Sequence, residues 1–113
     1  MNIQIFGTKK CRDTKKAEMF FKERRVAFHF RDLAEKGISK GELDNILRSV
    51  SLEILFDKES KQFKTRNLEY ILHDPETELL SDSLLFKTPI VRNGNMATVG
   101  YEPEVWLKWI KAK

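Results

Sequence analysis

The sequence predicts an α/β fold, a four-stranded mixed sheet with a helical insertion between its two halves. Three observations lead there. A strand-like run, an amphipathic stretch and a second strand-like run follow one another within the first thirty-three residues. An Asn93-Gly94 pair separates two further apolar runs. Between them lies a long segment of helical character with no Gly/Ser-rich linker.

The first strand is Ile3, Ile5 and Phe6, ending at Gly7. Thr14 to Arg24 reads as a helix, with Ala17, Phe20 and Phe21 on one side and Lys15, Lys16, Glu18, Lys22 and Glu23 on the other. Asp13 stands where an acid favours a helix start, by capping and by the dipole. In "VAFHFRDL", 26–33, Val26, Phe28 and Phe30 alternate with Ala27, His29 and Arg31, a second strand. A helix of that length carries a crossover, so the two strands are expected to be parallel and near neighbours.

The middle, about 38–85, is the insertion. Ser39 and Glu42 form a capping box before "LDNILRSV". "SLEILF", 51–56, could be a short helical turn. "NLEYILH", 67–73, and "ETELLSDSLL", 76–85, read as short helices separated by Asp74-Pro75. "TPIV" and "MATV" then read as strands joined at Asn93-Gly94, where both residues tolerate the positive φ of a type I′ turn. "YEPEVWLKWIKAK" closes the chain as a helix with Pro103 in its first turn. Val105, Trp106, Trp109 and Ile110 share its core face, and Lys111 and Lys113 lie at its end. The order βαβ, helical segment, ββα is the thioredoxin-type arrangement, expected as a single domain over 1–113.

Composition narrows the function classes. At 113 residues, with 41% hydrophobic and 34% charged residues, the chain has an ordinary globular composition long enough to bury a core. Its apolar runs are too short for a membrane helix, and "MNIQIFG" lacks the features of a secretory signal. One cysteine forms no internal disulfide, which fits a reducing, cytoplasmic setting. Net charge is +4, unevenly spread: residues 1–31 hold nine basic and three acidic side chains, the remainder about −2. Such a face can attract a small anion, an acidic protein surface or nucleic acid, or be simply solvated. It lacks the interleaved aromatics of a single-strand binder, so no direct nucleic-acid contact is expected. His29 and His73 have no partner at metal-ligand spacing, so no metal is expected, and no phosphate loop, Ser-His-Asp set or dinucleotide fingerprint is present.

The chemistry points to Cys11. It lies just past the first strand and before the helix, among Lys9, Lys10 and Arg12. A cysteine can be a small buried hydrophobe, but this one sits in a polar, cationic loop. Positive potential and unpaired N–H groups at a helix start stabilise a thiolate and can lower a thiol pKa from about 8.5 to roughly 3.5–7.5. Thr14 takes the place of a second cysteine in Cys11-Arg12-Asp13-Thr14. Its hydroxyl can hydrogen-bond a thiolate or merely start the helix, but cannot resolve a mixed disulfide. A catalytic cycle on Cys11 therefore needs an external thiol. Thr88-Pro89 opens the third strand, and from sequence statistics alone its peptide bond is expected to be trans.

Two motifs carry a family resemblance: "FGTKKCRDTKKA", 6–17, and "KTPIV", 87–91, followed by "VGYEPE", 99–104. Together they resemble the arsenate reductase (ArsC) family, in the branch near the Spx regulators and the YffB-like proteins. The similarity spans essentially the whole chain. It implies a thioredoxin-like fold, a nucleophilic cysteine at Cys11 and a cis-proline at Pro89. It further implies a thiol oxidoreductase with no bound cofactor, glutathione as co-substrate, and glutathione or a redoxin as partner. Lys10, Arg12 and Thr14 would stabilise the thiolate, while Lys58, Thr88 and Pro89 would bind the substrate or thiol. The three oxyanion-binding arginines of the arsenate reductases fall here at Lys58, Thr88 and Tyr101. Lysine lacks the planar fork that matches an oxyanion, and threonine and tyrosine carry no charge. The alternative is an Spx-like regulator binding RNA polymerase without a C-x-x-C switch.

Overall fold

The computed structural model describes residues 1–70 and 73–112. Its four strands form one mixed sheet in the order β2-β1-β3-β4. Strand β1 (Ile3–Gly7) runs parallel to β2 (Phe28–Asp32), with Ile3 opposite Phe28. It runs antiparallel to β3 (Ile90–Asn93), which in turn pairs antiparallel with β4 (Met96–Val99). This is the thioredoxin-like arrangement that the element order predicts. Because side chains alternate along a strand, β1 and β3 feed both faces. Ile3, Ile5 and Val91 enter one core, and Phe6 and Ile90 the other.

Helix α1 (Arg12–Glu23) covers the first face, burying Thr14, Ala17, Phe20 and Phe21. It starts two residues earlier than the periodicity suggests. It ends in a Schellman pattern: the Val26 N–H reaches Phe21 O at 2.9 Å, and the Arg25 N–H reaches Lys22 O at 3.0 Å. Arg25 takes the left-handed position (φ +57) that glycine usually fills. Val26 and Phe21 both enter the apolar cluster beneath, the hydrophobic contact typical of that cap. Helix α6 (Pro103–Lys111) packs alongside α1 and buries Trp106, whose indole N–H donates to Thr98 Oγ1 at 2.9 Å.

The insertion covers the other face with short pieces. Helix α2 (Lys40–Ile46) carries the expected capping box, with Ser39 and Glu42 each bonding the other's backbone N–H. Helix α3 (Leu52–Leu55) is capped by Ser51, α4 (Lys61–Thr65) by Ser60, and α5 (Pro75–Ser81) by Asp74. Helix α4 has no counterpart in the sequence reading: five residues are too few for periodicity to register. The helix expected over 67–73 is a 3₁₀ turn at Leu68–Tyr70, and Ile71 and Leu72 lie outside the described residues, as does Lys113. The one expected over 76–85 is broken at Asp82, whose carboxylate accepts from Leu84 N–H and starts a separate 3₁₀ turn, Ser83–Leu85.

The hairpin also differs. Asn93 pairs with Met96, so the two turn residues are Gly94 and Asn95, and of these only Gly94 has positive φ (+60). Glycine at the first turn position matches type II′ instead of the expected I′.

Candidate functional site around Cys11

Cys11 is the N-cap residue of α1. Its backbone is extended (φ −82, ψ 118), and its carbonyl accepts the first helical bond from Lys15 N–H at 3.2 Å. The Cys11 N–H closes the preceding turn on Thr8 O at 3.2 Å. An N-cap side chain normally accepts from the N–H groups one turn on. A neutral thiol does this poorly, and here it makes no capping bond; a thiolate is a far better acceptor.

The sulfur is half-buried, and its thiol points to the Thr88 carbonyl at 3.8 Å. Thr88 precedes Pro89, and this peptide bond is cis, against the statistical expectation and in line with the family resemblance. Pro89 is buried, and its carbonyl is held by Gly100 N–H at 2.8 Å. The tertiary fold thus brings residues 11 and 88 together.

Thr14, one turn along α1, is fully buried, and its hydroxyl has no hydrogen-bond partner among the described residues. It packs against Gly7 so closely that a Cβ there would lie 2.3 Å from Thr14 Oγ1 and 2.5 Å from Cγ2. Glycine at the end of β1 is therefore a matter of space: it lets the helix start settle against the strand. Burial pushes the Cys11 thiol pKa up. The hydroxyls of Thr14 and Thr88 and the backbone N–H groups of Thr14 and Asp13 outweigh it, and the net shift is downward. The otherwise unpartnered Thr14 hydroxyl gains an acceptor when the sulfur ionises.

Lys10 and Arg12 flank the sulfur in sequence with exposed side chains. Lys58 is placed elsewhere: it lines a cleft with Phe63, Lys64, Leu68 and His73. The lysine in the cleft shared by Thr8 and Thr88 is Lys61, with Asp57, Ser60 and Gln62 on the same wall and a volume of about 470 Å³. Sequence reasoning missed Lys61. Ser60 as a helix cap was the available signal, since it places the next residue in the first turn of a helix. Tyr101 lines a separate groove with Lys15, Lys16 and Met19, and stands edge-to-face with Trp106 at 5.5 Å. The positions equivalent to the three arginines thus line three different clefts. His29 is exposed on edge strand β2, and His73 stacks on Phe56 at 5.5 Å. Among the described residues no group of His, Cys, Asp or Glu could hold a metal ion, and no helix is long and apolar enough to cross a membrane.

No protein-family model matches the chain. Two curated proteins are similar to it at 27% identity. The uncharacterized protein YusI of Bacillus subtilis aligns over 92% of this chain and 94% of its own length. The global transcriptional regulator Spx 2 of Oceanobacillus iheyensis aligns over 96% and 93%. Among solved structures, a YffB protein superposes with a TM-score of 0.80 at 21% identity, covering 94% of this chain and 96% of its own. A putative ArsC family related protein from Bacteroides fragilis gives 0.80 at 21%, covering 96% and 97%. The structural neighbours thus share the ArsC-related, thioredoxin-like fold, and one of the two curated relatives is an Spx protein, matching the branch of the resemblance read from the two motifs.

Proposed function

We propose that this chain is an ArsC-like thiol oxidoreductase that works through Cys11 alone. The observation that carries this reading is the seat of the sulfur. It is an N-cap thiol with a depressed pKa, half-open to solvent, near a buried Thr14 hydroxyl that has no partner among the described residues. Thiolate is the reactive species, and each feature favours it.

The step runs as an exchange. Cys11 Sγ⁻ attacks one sulfur of a disulfide R–S–S–R′; the S–S bond breaks, R′–S⁻ leaves and takes a proton from solvent, and a Cys11–S–S–R mixed disulfide forms. With threonine at position 14 no second thiol of this chain can follow. A glutathione or redoxin thiolate attacks the outer sulfur of the mixed disulfide, expels Cys11 as thiolate and carries R–S away as a new disulfide. Glutathione is thus a co-substrate, and no cofactor is bound. Lys10, Arg12 and the α1 N-terminus supply positive potential, Thr14 and Thr88 donate to the thiolate, and Pro89 holds the Thr88 segment beside it. Lys61, on the Thr88 cleft, takes the anion-attracting role first given to Lys58. Arsenate is a poor candidate substrate, because none of the three corresponding positions is an arginine. The exchange requires a reducing compartment, which we take to be cytoplasmic.

The test is the pH dependence of Cys11 alkylation by iodoacetamide. The midpoint is expected below the ordinary thiol value of about 8.5, and Thr14→Val should raise it; a midpoint at or above that value overturns the reading. Arsenate-dependent glutathione oxidation with glutaredoxin, compared with Cys11→Ser, decides whether the oxyanion is turned over.

A second reading, a regulator docking on RNA polymerase, is supported by the Spx 2 similarity across 96% of the chain. Polymerase retained stoichiometrically by both the native protein and Cys11→Ser favours it. A redoxin held only as a mixed disulfide favours the oxidoreductase.

A further inference from the structure

We infer that the groove between α1 and the start of α6 is a docking surface for an acidic segment of a partner protein, which inserts one apolar side chain between Met19 and Tyr101. The outward face of α1 is otherwise charged, yet Met19 stands on it with 54% of its surface exposed, and Tyr101 across the groove is 42% exposed. The two frame an opening of about 520 Å³ with Pro103 and Leu107 on the α6 side. Its floor is prepared: the Arg24 guanidinium lies 3.8 Å from the Phe20 ring centroid and donates to Phe20 O at 3.1 Å. Tyr101 is held edge-to-face on Trp106, with Lys16 Nζ 5.6 Å from its ring centroid. A thioether that adapts its shape and a rigid phenol make a good seat for an incoming aliphatic or aromatic anchor.

Charge selects the partner. Lys15, Lys16 and Arg24 border the groove against the single acid Glu23, and among the described residues neither lysine has an acidic side chain at ion-pair distance. Complementary charge across such a rim speeds encounter and sets register. A nucleic-acid strand fits less well: Tyr101 is the only exposed aromatic ring among the lining residues, so successive bases find no platform on which to stack. Lys15 is one helical turn from Cys11, so a protein seated here extends toward the thiol. Docking uses no sulfur chemistry and stands or falls apart from it.

The experiment pans a random dodecapeptide phage library on the Cys11→Ser protein, so that no covalent capture occurs, after depletion on Lys15→Glu/Lys16→Glu/Met19→Glu. Selected peptides are expected to carry acids around one Leu, Ile, Phe or Trp. A synthetic peptide of the selected sequence should shift the amide resonances of Lys16, Met19 and Tyr101. It should bind about tenfold more weakly to Lys15→Glu/Lys16→Glu or to Met19→Ala, and should weaken with salt. Failure to enrich acidic anchored peptides, shifts confined to other surfaces, or equal competition by a thymidine oligonucleotide overturns the proposal. All three substituted side chains are exposed, so loss of fold is not expected to account for a negative result.

Discussion

The face of the sheet under α1 and α6 is filled by aromatic rings, whereas the face under the insertion is filled mainly by aliphatic side chains delivered from short helical segments. On the first, Phe20, Phe21 and Trp106 meet with ring centroids 5.0–5.4 Å apart. On the second, Leu43, Ile46, Leu55, Leu79 and Leu85 are fully buried together with Phe6, and Phe56, Phe63 and Phe86 are nearly so. Two amphipathic helices of 12 and 9 residues hold the aromatic face by their own apolar stripes. Segments of three to seven residues are too short to persist alone. They rely on side-chain caps, present at every start but that of Leu68–Tyr70, and on polar ties, such as Arg66 to Glu78 and Asp82, or Arg31 to Glu42. The difference matters for the site. The sulfur stands at the start of the long packed helix, while the cleft that Thr88 shares with Ser60 and Lys61 is walled by the capped segments.

Deletion of one large side chain from each face should have the largest effects. Trp106→Ala removes three ring contacts and leaves the Thr98 hydroxyl unpartnered, and should cost about 4–5 kcal/mol. Leu79→Ala, equally buried, should cost less, about 2–4 kcal/mol. Urea unfolding measures both, and a larger loss for Leu79→Ala would reverse the ranking of the two faces.

Gly7→Ala acts where the aromatic face meets the site. The new methyl group displaces Thr14, so stability should fall by about 1–3 kcal/mol, and the Cys11 thiol should titrate higher. In a Thr14→Ala background the same change should cost much less, because the crowding atoms are gone, while the thiol stays high. Unfolding and alkylation profiles of the four proteins test this, and additive losses of stability would contradict it.

The smallest effect belongs to the insertion. Burial pushes the Glu42 carboxyl up, but the Arg31 guanidinium and the Ser39 N–H outweigh it and leave it below its usual range. A carboxyl lowered in the folded state adds stability that is complete above its unfolded value and is lost as pH falls through the folded one. Glu42→Gln should therefore cost about 1 kcal/mol or less at pH 7 and almost nothing near pH 3. Thermal melts at the two pH values check the sign, and a penalty that grows in acid would contradict it.

Legibility followed the same divide. The stripes of α1 and α6, the alternation of β2 and the Ser39/Glu42 box are local patterns and could be read directly. Helix α4, the break at Asp82 and the one-residue shift of the hairpin turn could not. In each case one side chain or one φ value decides between local conformations of similar energy, and packing makes the choice. Cys11 was legible as a residue in a cationic loop, though its position as the N-cap itself was not.

The chain's own order of residues determined the types of the longer elements, the single thiol, the absence of a resolving cysteine and the excess of positive charge near the N-terminus, because these depend on neighbours a few positions apart. Only the tertiary structure decided that Thr88 lies against Cys11, that Thr14 is buried against Gly7 and that Lys61, not Lys58, shares the cleft with Thr88. Those contacts join segments that packing of the sheet's two faces brings together, and no local preference encodes which side chains then meet.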